Sequence, residues 1–234
     1  MYVSKNQDEQ AKLIQYYMDH ALKEDDTFSF DCQMCGRCCR NRSEAITLTG
    51  ADIFYIAKEL GITPLKVMQK YTVWSIGPNS KMPIFSLFEK ASGACALLHN
   101  SKCSVHKSKP VVCAIYPLGR ILEKGGTSYT YFTQPKGSTC AGECTSVKHT
   151  LKEWLDEFQI QQRDKDTLAW HTLFGKVSSA ALKAKSDEEL ALYQNLALRI
   201  LYLDYDTSKE YSESIQENEA AFDALCHTIA AEDI

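Results

Sequence analysis

Four cysteines lie within eight residues in the stretch Cys32-Gln33-Met34-Cys35-Gly36-Arg37-Cys38-Cys39. A gap of two residues between cysteines allows a tight turn to bring two sulfurs to one metal, which is why C-x-x-C recurs in zinc and iron–sulfur proteins. Gly36 supplies the backbone freedom that such a turn needs. The stretch therefore predicts a metal site made of thiolates.

The last two cysteines of this stretch, Cys38 and Cys39, are adjacent in the chain. Neighbouring side chains on a regular backbone point in different directions. We therefore expect that the pair does not easily bind one tetrahedral ion. This arrangement predicts two metal centres, or one cluster that contains several metal ions.

Nine of the ten cysteines lie between Cys32 and Cys144, and the tenth is Cys226 on a predicted helix. The first ten residues contain no apolar segment of the signal-peptide type, so we expect a cytoplasmic protein. Disulfides do not persist in that reducing compartment. The clustered cysteines are therefore predicted to bind metal or to take part in redox chemistry, whereas Cys226 is predicted to belong to a helical core.

Composition and charge restrict the remaining possibilities. The chain has 234 residues, 44% hydrophobic and 24% charged, as in an ordinary globular protein. No run of apolar residues is long enough to span a membrane. Residues 32–144 contain fourteen basic and six acidic residues, while residues 186–234 contain twelve acidic and two basic ones. The scattered bases make nucleic acid an unlikely partner, so we expect an unidentified protein or small molecule.

The hydrophobic pattern predicts an α+β fold, mainly helical, with short antiparallel strands in a small cysteine-rich core. Residues 6–24 have helical spacing, and Thr49 and Asp52 resemble a capping box for a helix that ends at Gly61. Thr63-Pro64 begins another helix. Residues 118–133 predict a β-hairpin around Gly125-Gly126. We predict a metal-binding domain at 1–145 and a helical extension at 146–234 packed on it.

Further downstream, the order of the cysteines carries a resemblance. The relevant segments are Cys95-Ala96-Leu97-Leu98, Cys103-Ser104-Val105-His106, Lys109-Pro110-Val111-Val112-Cys113-Ala114-Ile115-Tyr116-Pro117 and Cys140-Ala141-Gly142. Together with the opening stretch, they are similar to the YkgJ-like cysteine-cluster family, whose pattern is C-x-x-C-x-x-C-C and whose members are regarded as zinc- or iron-chelating. The resemblance covers about residues 30–142.

The resemblance implies eight cysteines that bind the metal or cofactor. They are Cys32, Cys35, Cys38, Cys39, Cys95, Cys103, Cys113 and Cys140. The chain departs from the family pattern at His106, Lys109, Ala114 and Ala141, which replace a tyrosine, two arginines and a proline in that order. Two questions stay open at this point: whether Cys144 replaces or supplements Cys140 as a ligand, and whether His106 is a ligand.

The eight thiolates predict an iron–sulfur site, with a four-iron cluster as one form, and zinc as the alternative. Flagellin lysine methylases carry a similar cysteine pattern in longer chains, with an iron–sulfur cluster. This sequence has no glycine-rich G-x-G-x-x-G loop, so no methyltransferase is predicted. The prediction is an iron–sulfur protein with a redox or catalytic role on an unknown substrate. The alternative is a zinc module without catalysis that has a structural, metal-handling or interaction role.

Overall fold

The computed structural model describes residues 7–42, 44–134 and 140–232. This part of the chain has eight α-helices and nine short strands, which confirms the predicted α+β class. The helices are α1 (Gln7–Asp19), α2 (Gly50–Leu60), α3 (Pro64–Tyr71), α4 (Val111–Ala114), α5 (Leu151–Glu157), α6 (Ile160–Ala181), α7 (Asp187–Leu198) and α8 (Tyr211–Glu232). None of these helices is long and apolar enough to cross a membrane.

The strands are β1 (Thr27–Ser29), β2 (Thr47–Leu48), β3 (Thr72–Ile76), β4 (Pro83–Leu87), β5 (Leu98–His99), β6 (Lys102–Cys103), β7 (Leu118–Leu122), β8 (Tyr129–Thr133) and β9 (Lys148–Thr150). They pair in antiparallel fashion into four small sheets, β1-β9, β2-β4-β3, β5-β6 and β7-β8. The β7-β8 pair is the hairpin predicted from the sequence.

The ends of α2 and α3 follow from local sequence. The Thr49 side chain accepts a hydrogen bond from the Asp52 amide, and the Asp52 carboxylate accepts one from the Thr49 amide, so the predicted capping box is present. Gly61 ends α2 in the left-handed conformation. Thr63 caps α3, whose first residue is proline. Helix α1 is shorter than the predicted range of residues 6–24.

Contacts divide the chain into two compact units. Unit 1 comprises Met1–Cys35 and Val111–Gln161, and unit 2 comprises Gly36–Pro110 and Gln162–Ile234. The boundaries of these units differ from those of the predicted domains, 1–145 and 146–234. That domain division stays a prediction. The boundary between the units falls inside the opening cysteine stretch, between Cys35 and Gly36.

Unit 1 has an aromatic core. Phe28 and Phe30 from the segment of β1 pack edge to face against Trp154 of α5, with ring centroids 5.7 Å and 5.5 Å apart. The Trp154 indole N–H donates a hydrogen bond of 3.1 Å to the Ile115 carbonyl. The residue after α4 is therefore fixed to the same core as β1, which matters for the cysteines on both segments.

Unit 2 has a larger core under α2 and β4. A π-helical turn at Arg199–Leu203 places the Tyr202 side chain in this core, where it is fully buried. The Tyr202 hydroxyl donates a hydrogen bond of 3.1 Å to the Pro83 carbonyl, and its ring lies 4.8 Å from that of Phe85. The helical part of unit 2 thus covers one face of β4.

Candidate metal centre

The second half of the opening cysteine stretch forms one tight turn in unit 2. Gly36 takes a left-handed conformation with φ 69°, which glycine adopts without strain, and one turn of 3₁₀-helix follows at Arg37–Cys39. Arg40 then returns to an extended conformation with φ −135°. This change of backbone within four residues places the Cys38 and Cys39 sulfurs 3.9 Å apart.

The expectation that this adjacent pair diverges is wrong, because the backbone here is not regular. Two thiolates bound at about 2.3 Å to one tetrahedral ion lie ~3.8 Å apart. The observed 3.9 Å between the Cys38 and Cys39 sulfurs matches that spacing. The pair can therefore bind one ion, either zinc or an iron of a cluster.

Two more cysteines of unit 2 are connected to this turn through the backbone. The Cys95 amide donates a hydrogen bond of 2.8 Å to the Cys39 carbonyl. The Cys95 carbonyl in turn accepts one of 3.0 Å from the Leu98 amide, and Leu98 pairs with Cys103 across β5 and β6. Cys95 is buried and Cys103 is half-buried, whereas Cys38 is exposed. Backbone hydrogen bonds and strand pairing therefore connect four of the eight predicted ligands within unit 2.

The electrostatic surroundings of these thiols differ. A hydrogen bond from Cys39 is the main cause that lowers the pKa of Cys38 to about 6, and the charges of Lys109 and Arg42 act in the same direction. Burial raises the pKa of Cys103, and the Cys95 sulfur adds to this effect while Lys109 opposes it. The Lys109 ammonium thus acts on both thiols, which favours the thiolate form that binds metal.

The sequence does not identify Lys109 and Arg42 as site residues. Lys109 is visible in it only as a departure from the family pattern. Arg42 is held by an ion pair of 3.2 Å with Glu89. The available signal was the excess of basic residues between Cys32 and Cys144, although that excess could not indicate which cations lie near sulfur.

The other four predicted ligands lie in unit 1, on segments that share its core. Cys32 follows Phe30 and Asp31, and the Asp31 amide donates a hydrogen bond of 2.9 Å to the Gly142 carbonyl. Cys140 packs against the same core as Phe30, and Cys113 lies within α4, which also contributes to that core. Cys35 follows Cys32 after a turn at Met34, where φ is 47°. The backbone thus brings the Cys32 and Cys140 segments side by side.

Gly142 makes this approach possible, and it leads to a prediction. A Cβ atom on Gly142 would lie 2.5 Å from the Asp31 carbonyl oxygen, which is backbone and cannot move aside cheaply. Gly142→Ala should separate the Cys32 and Cys140 segments and weaken metal binding in unit 1, as measured by metal content after dialysis. The control is Gly175→Ala, where a Cβ atom has no neighbour within 4 Å. Equal metal content in both variants would contradict this role of Gly142.

The remaining candidates have less structural support. Cys144 is exposed, and Cys226 is half-buried against the core of unit 2, as predicted for a core thiol. His106 is half-buried. Within the described ranges, no group of three or more His, Cys, Asp or Glu side chains is close enough to hold a single ion. The ligand set therefore stays a prediction, and the Cys38–Cys39 pair is its best-defined part.

Comparison with known proteins agrees with this cysteine-based interpretation. A family model described as "CxxCxxCC: Putative zinc- or iron-chelating domain" matches residues 31–141, from just before Cys32 to just after Cys140. Residues 31–141 are therefore similar to the CxxCxxCC family. This CxxCxxCC-like region includes all eight predicted ligands and leaves Cys144 and Cys226 outside. Its description supports binding of zinc or iron and does not distinguish between them.

One curated relative is also similar to this chain. It is the uncharacterized protein MJ0661 of Methanocaldococcus jannaschii, 27% identical over 105 residues, or 44% of this chain. The match spans 52% of the length of that relative. No solved structure matches the chain. Of these comparisons, the family model is the one that assigns its match to particular residues, 31–141.

Proposed function

We propose that the CxxCxxCC-like region binds iron as iron–sulfur centres, through two cysteine quartets that each belong to one unit. The quartet of unit 2 is Cys38, Cys39, Cys95 and Cys103, and the quartet of unit 1 is Cys32, Cys35, Cys113 and Cys140. The observation that carries the proposal is the distance of 3.9 Å between the Cys38 and Cys39 sulfurs. It makes this pair suitable for a single tetrahedral iron.

The other two cysteines of unit 2 supply a second pair. The Leu98 amide donates a hydrogen bond to the Cys95 carbonyl, and Leu98 pairs with Cys103 across β5 and β6, so the backbone connects these two cysteines. Four cysteines ligate both two-iron and four-iron clusters. An arrangement of two thiolate pairs fits the two-iron form best, because each tetrahedral iron then takes two protein sulfurs.

Zinc is the second candidate, and the observation that supports iron is equally compatible with it. The same distance of 3.9 Å between the sulfurs of Cys38 and Cys39 also suits two ligands of a tetrahedral zinc ion. A structural zinc site would need the sulfurs of Cys95 and Cys103 to approach this pair equally closely. Zinc would make the region a structural or interaction module, whereas an iron–sulfur centre supplies a redox group.

A redox role is the part of the proposal that concerns activity. Cys38 is exposed, so a centre held by the Cys38–Cys39 pair lies near the surface of unit 2, where a redox partner can approach it. The neighbouring cations of Arg42 and Lys109 stabilise negative charge at this pair. An electron added to the centre would therefore be accommodated electrostatically.

The test is anaerobic purification of the full chain, followed by absorption spectroscopy and measurement of iron, acid-labile sulfide and zinc. We expect a coloured protein with about two irons and two sulfides per quartet, whose visible absorption decreases on reduction with dithionite. A colourless protein with about one zinc per quartet, and without iron or sulfide, would show that the zinc alternative is correct. An iron–sulfur protein that dithionite does not reduce would contradict the redox role alone.

A further inference from the structure

Strand β3 lies at the edge of the three-stranded sheet of unit 2, in which the order is β2-β4-β3. Residues directly opposite each other in an antiparallel pair face the same side of the sheet. Trp74 lies opposite Phe85, and Ile76 lies opposite Pro83. Phe85 is only 6% exposed, whereas Trp74 is 64% exposed and Ile76 is 41% exposed. The layer that covers β4 therefore ends before β3 and leaves its apolar side chains in solvent.

The other face of β3 is also exposed to solvent, and the strand sequence contains no residue that would hinder pairing. Val73, on the opposite face from Trp74, is 55% exposed. Exposed edge strands usually avoid association through charged residues, proline, bulges or a covering element. The sequence Thr72-Val73-Trp74-Ser75-Ile76 contains neither charge nor proline, and its five consecutive pairs with β4 leave no room for a bulge. Among the residues that the structure describes, nothing gives strand β3 the usual protection against pairing with another strand.

We propose that β3 pairs antiparallel with β3 of a second copy of this chain, around a two-fold axis at Trp74. Trp74 is the middle residue of the strand, so this axis places it against Trp74 of the second copy. Val73 then lies opposite Ser75, and Thr72 opposite Ile76. No like charges meet in this register, so the uncharged strand is complementary to itself.

A second copy fits this edge better than a charged peptide does. A charged segment would find no opposite charge among the five residues of β3 to offset its loss of hydration. The two exposed apolar faces of the strand instead suit a partner strand of the same composition. Because the pairing involves only five residues, the interface is small, and we expect a Kd on the order of 10–100 µM.

Sedimentation velocity on the anaerobically purified full chain tests this inference. We expect a reversible shift from monomer to dimer as the concentration passes from roughly tenfold below to tenfold above that Kd. Trp74→Lys should weaken the dimer at least about tenfold, because it places two positive charges against each other at the axis. Trp74→Glu should do the same, and an equimolar mixture of the two variants should restore the dimer through opposite charges.

The matched control is Leu192→Lys, which adds the same charge at the position of a leucine that is 70% exposed on α7. It should dimerise like the unchanged chain. Circular dichroism and metal content check that each variant is folded. A chain that stays monomeric over the whole range would overturn the proposal, and this measurement needs no variant. Dimerisation of Trp74→Lys with unchanged Kd, or an equimolar mixture that does not recover the dimer, would also overturn it.

Discussion

Alanine in place of Cys39 is expected to remove about half of the bound metal, because Cys39 belongs to only one of the two proposed quartets. The Cys39 sulfur lies 3.9 Å from that of Cys38, and the Cys39 carbonyl accepts a hydrogen bond from the Cys95 amide. Loss of one thiolate from a four-thiolate site should weaken binding there by about 100-fold. Cys113→Ala should remove the other half, since Cys113 lies in unit 1.

Metal analysis of each variant gives the stoichiometry, and hydrogen exchange detected by mass spectrometry shows which segments loosen. Cys39→Ala should reduce protection in residues 36–42 and 94–103, because binding and folding of a metal site are coupled. Cys226→Ala is the control, since this thiol lies outside the CxxCxxCC-like region. If either Cys39→Ala or Cys113→Ala loses all of its metal, two independent centres are excluded. If both variants retain all of it, neither residue is a ligand.

Much of the fold could be predicted because local sequence specifies it. The capping box of Thr49 and Asp52, the proline at the start of α3 and the hairpin around Gly125-Gly126 each depend on residues within a few positions of one another. Local hydrogen bonds and turn preferences therefore decide these elements. The π-helical turn that inserts Tyr202 beside Phe85 could not be predicted, because its packing partners are distant in sequence.

The candidate site shows a similar division between local and long-range information. The spacing of cysteines predicted a thiolate site, and the family match includes all eight residues. The approach of the Cys38 and Cys39 sulfurs was not predicted, since it depends on the change from a 3₁₀ turn to an extended Arg40. The division of the opening stretch after Cys35 was not predicted either, because it depends on which distant segments pack around each half.

Asp52 combines a local interaction with a long-range one. Its carboxylate accepts hydrogen bonds from the Thr49 amide and hydroxyl at 3.1 Å and 3.0 Å, which the sequence predicted as a capping box. Its other oxygen lies 3.4 Å from the Arg163 guanidinium, an ion pair between residues 111 positions apart. Both side chains are buried, and Arg163 also lies over the Tyr55 ring. The same carboxylate therefore caps α2 and fixes α6 to it.

Asp52→Ala is expected to destabilise unit 2 by about 3–5 kcal/mol, because it leaves the buried Arg163 charge without this carboxylate and also removes the cap. Asp52→Asn keeps an oxygen that can accept the cap hydrogen bonds, so the difference between the two variants measures the cap separately from the charge. Urea denaturation combined with hydrogen exchange of the α2 amides provides the measurement, since exchange reports on each unit by itself.

A second capping box, formed by Thr150 and Glu153 at the start of α5, offers a matched control. Glu153 accepts a hydrogen bond from the Thr150 amide in the same way, but its side chain is exposed. Glu153→Ala therefore removes a cap without removing a buried ion pair, and its effect on the α5 amides should be much smaller than that of Asp52→Ala on α2. Similar losses in both variants would mean that the Arg163 ion pair adds nothing to capping. A large loss for Asp52→Asn as well would assign most of the effect to the buried charge, as expected for an ion pair removed from water.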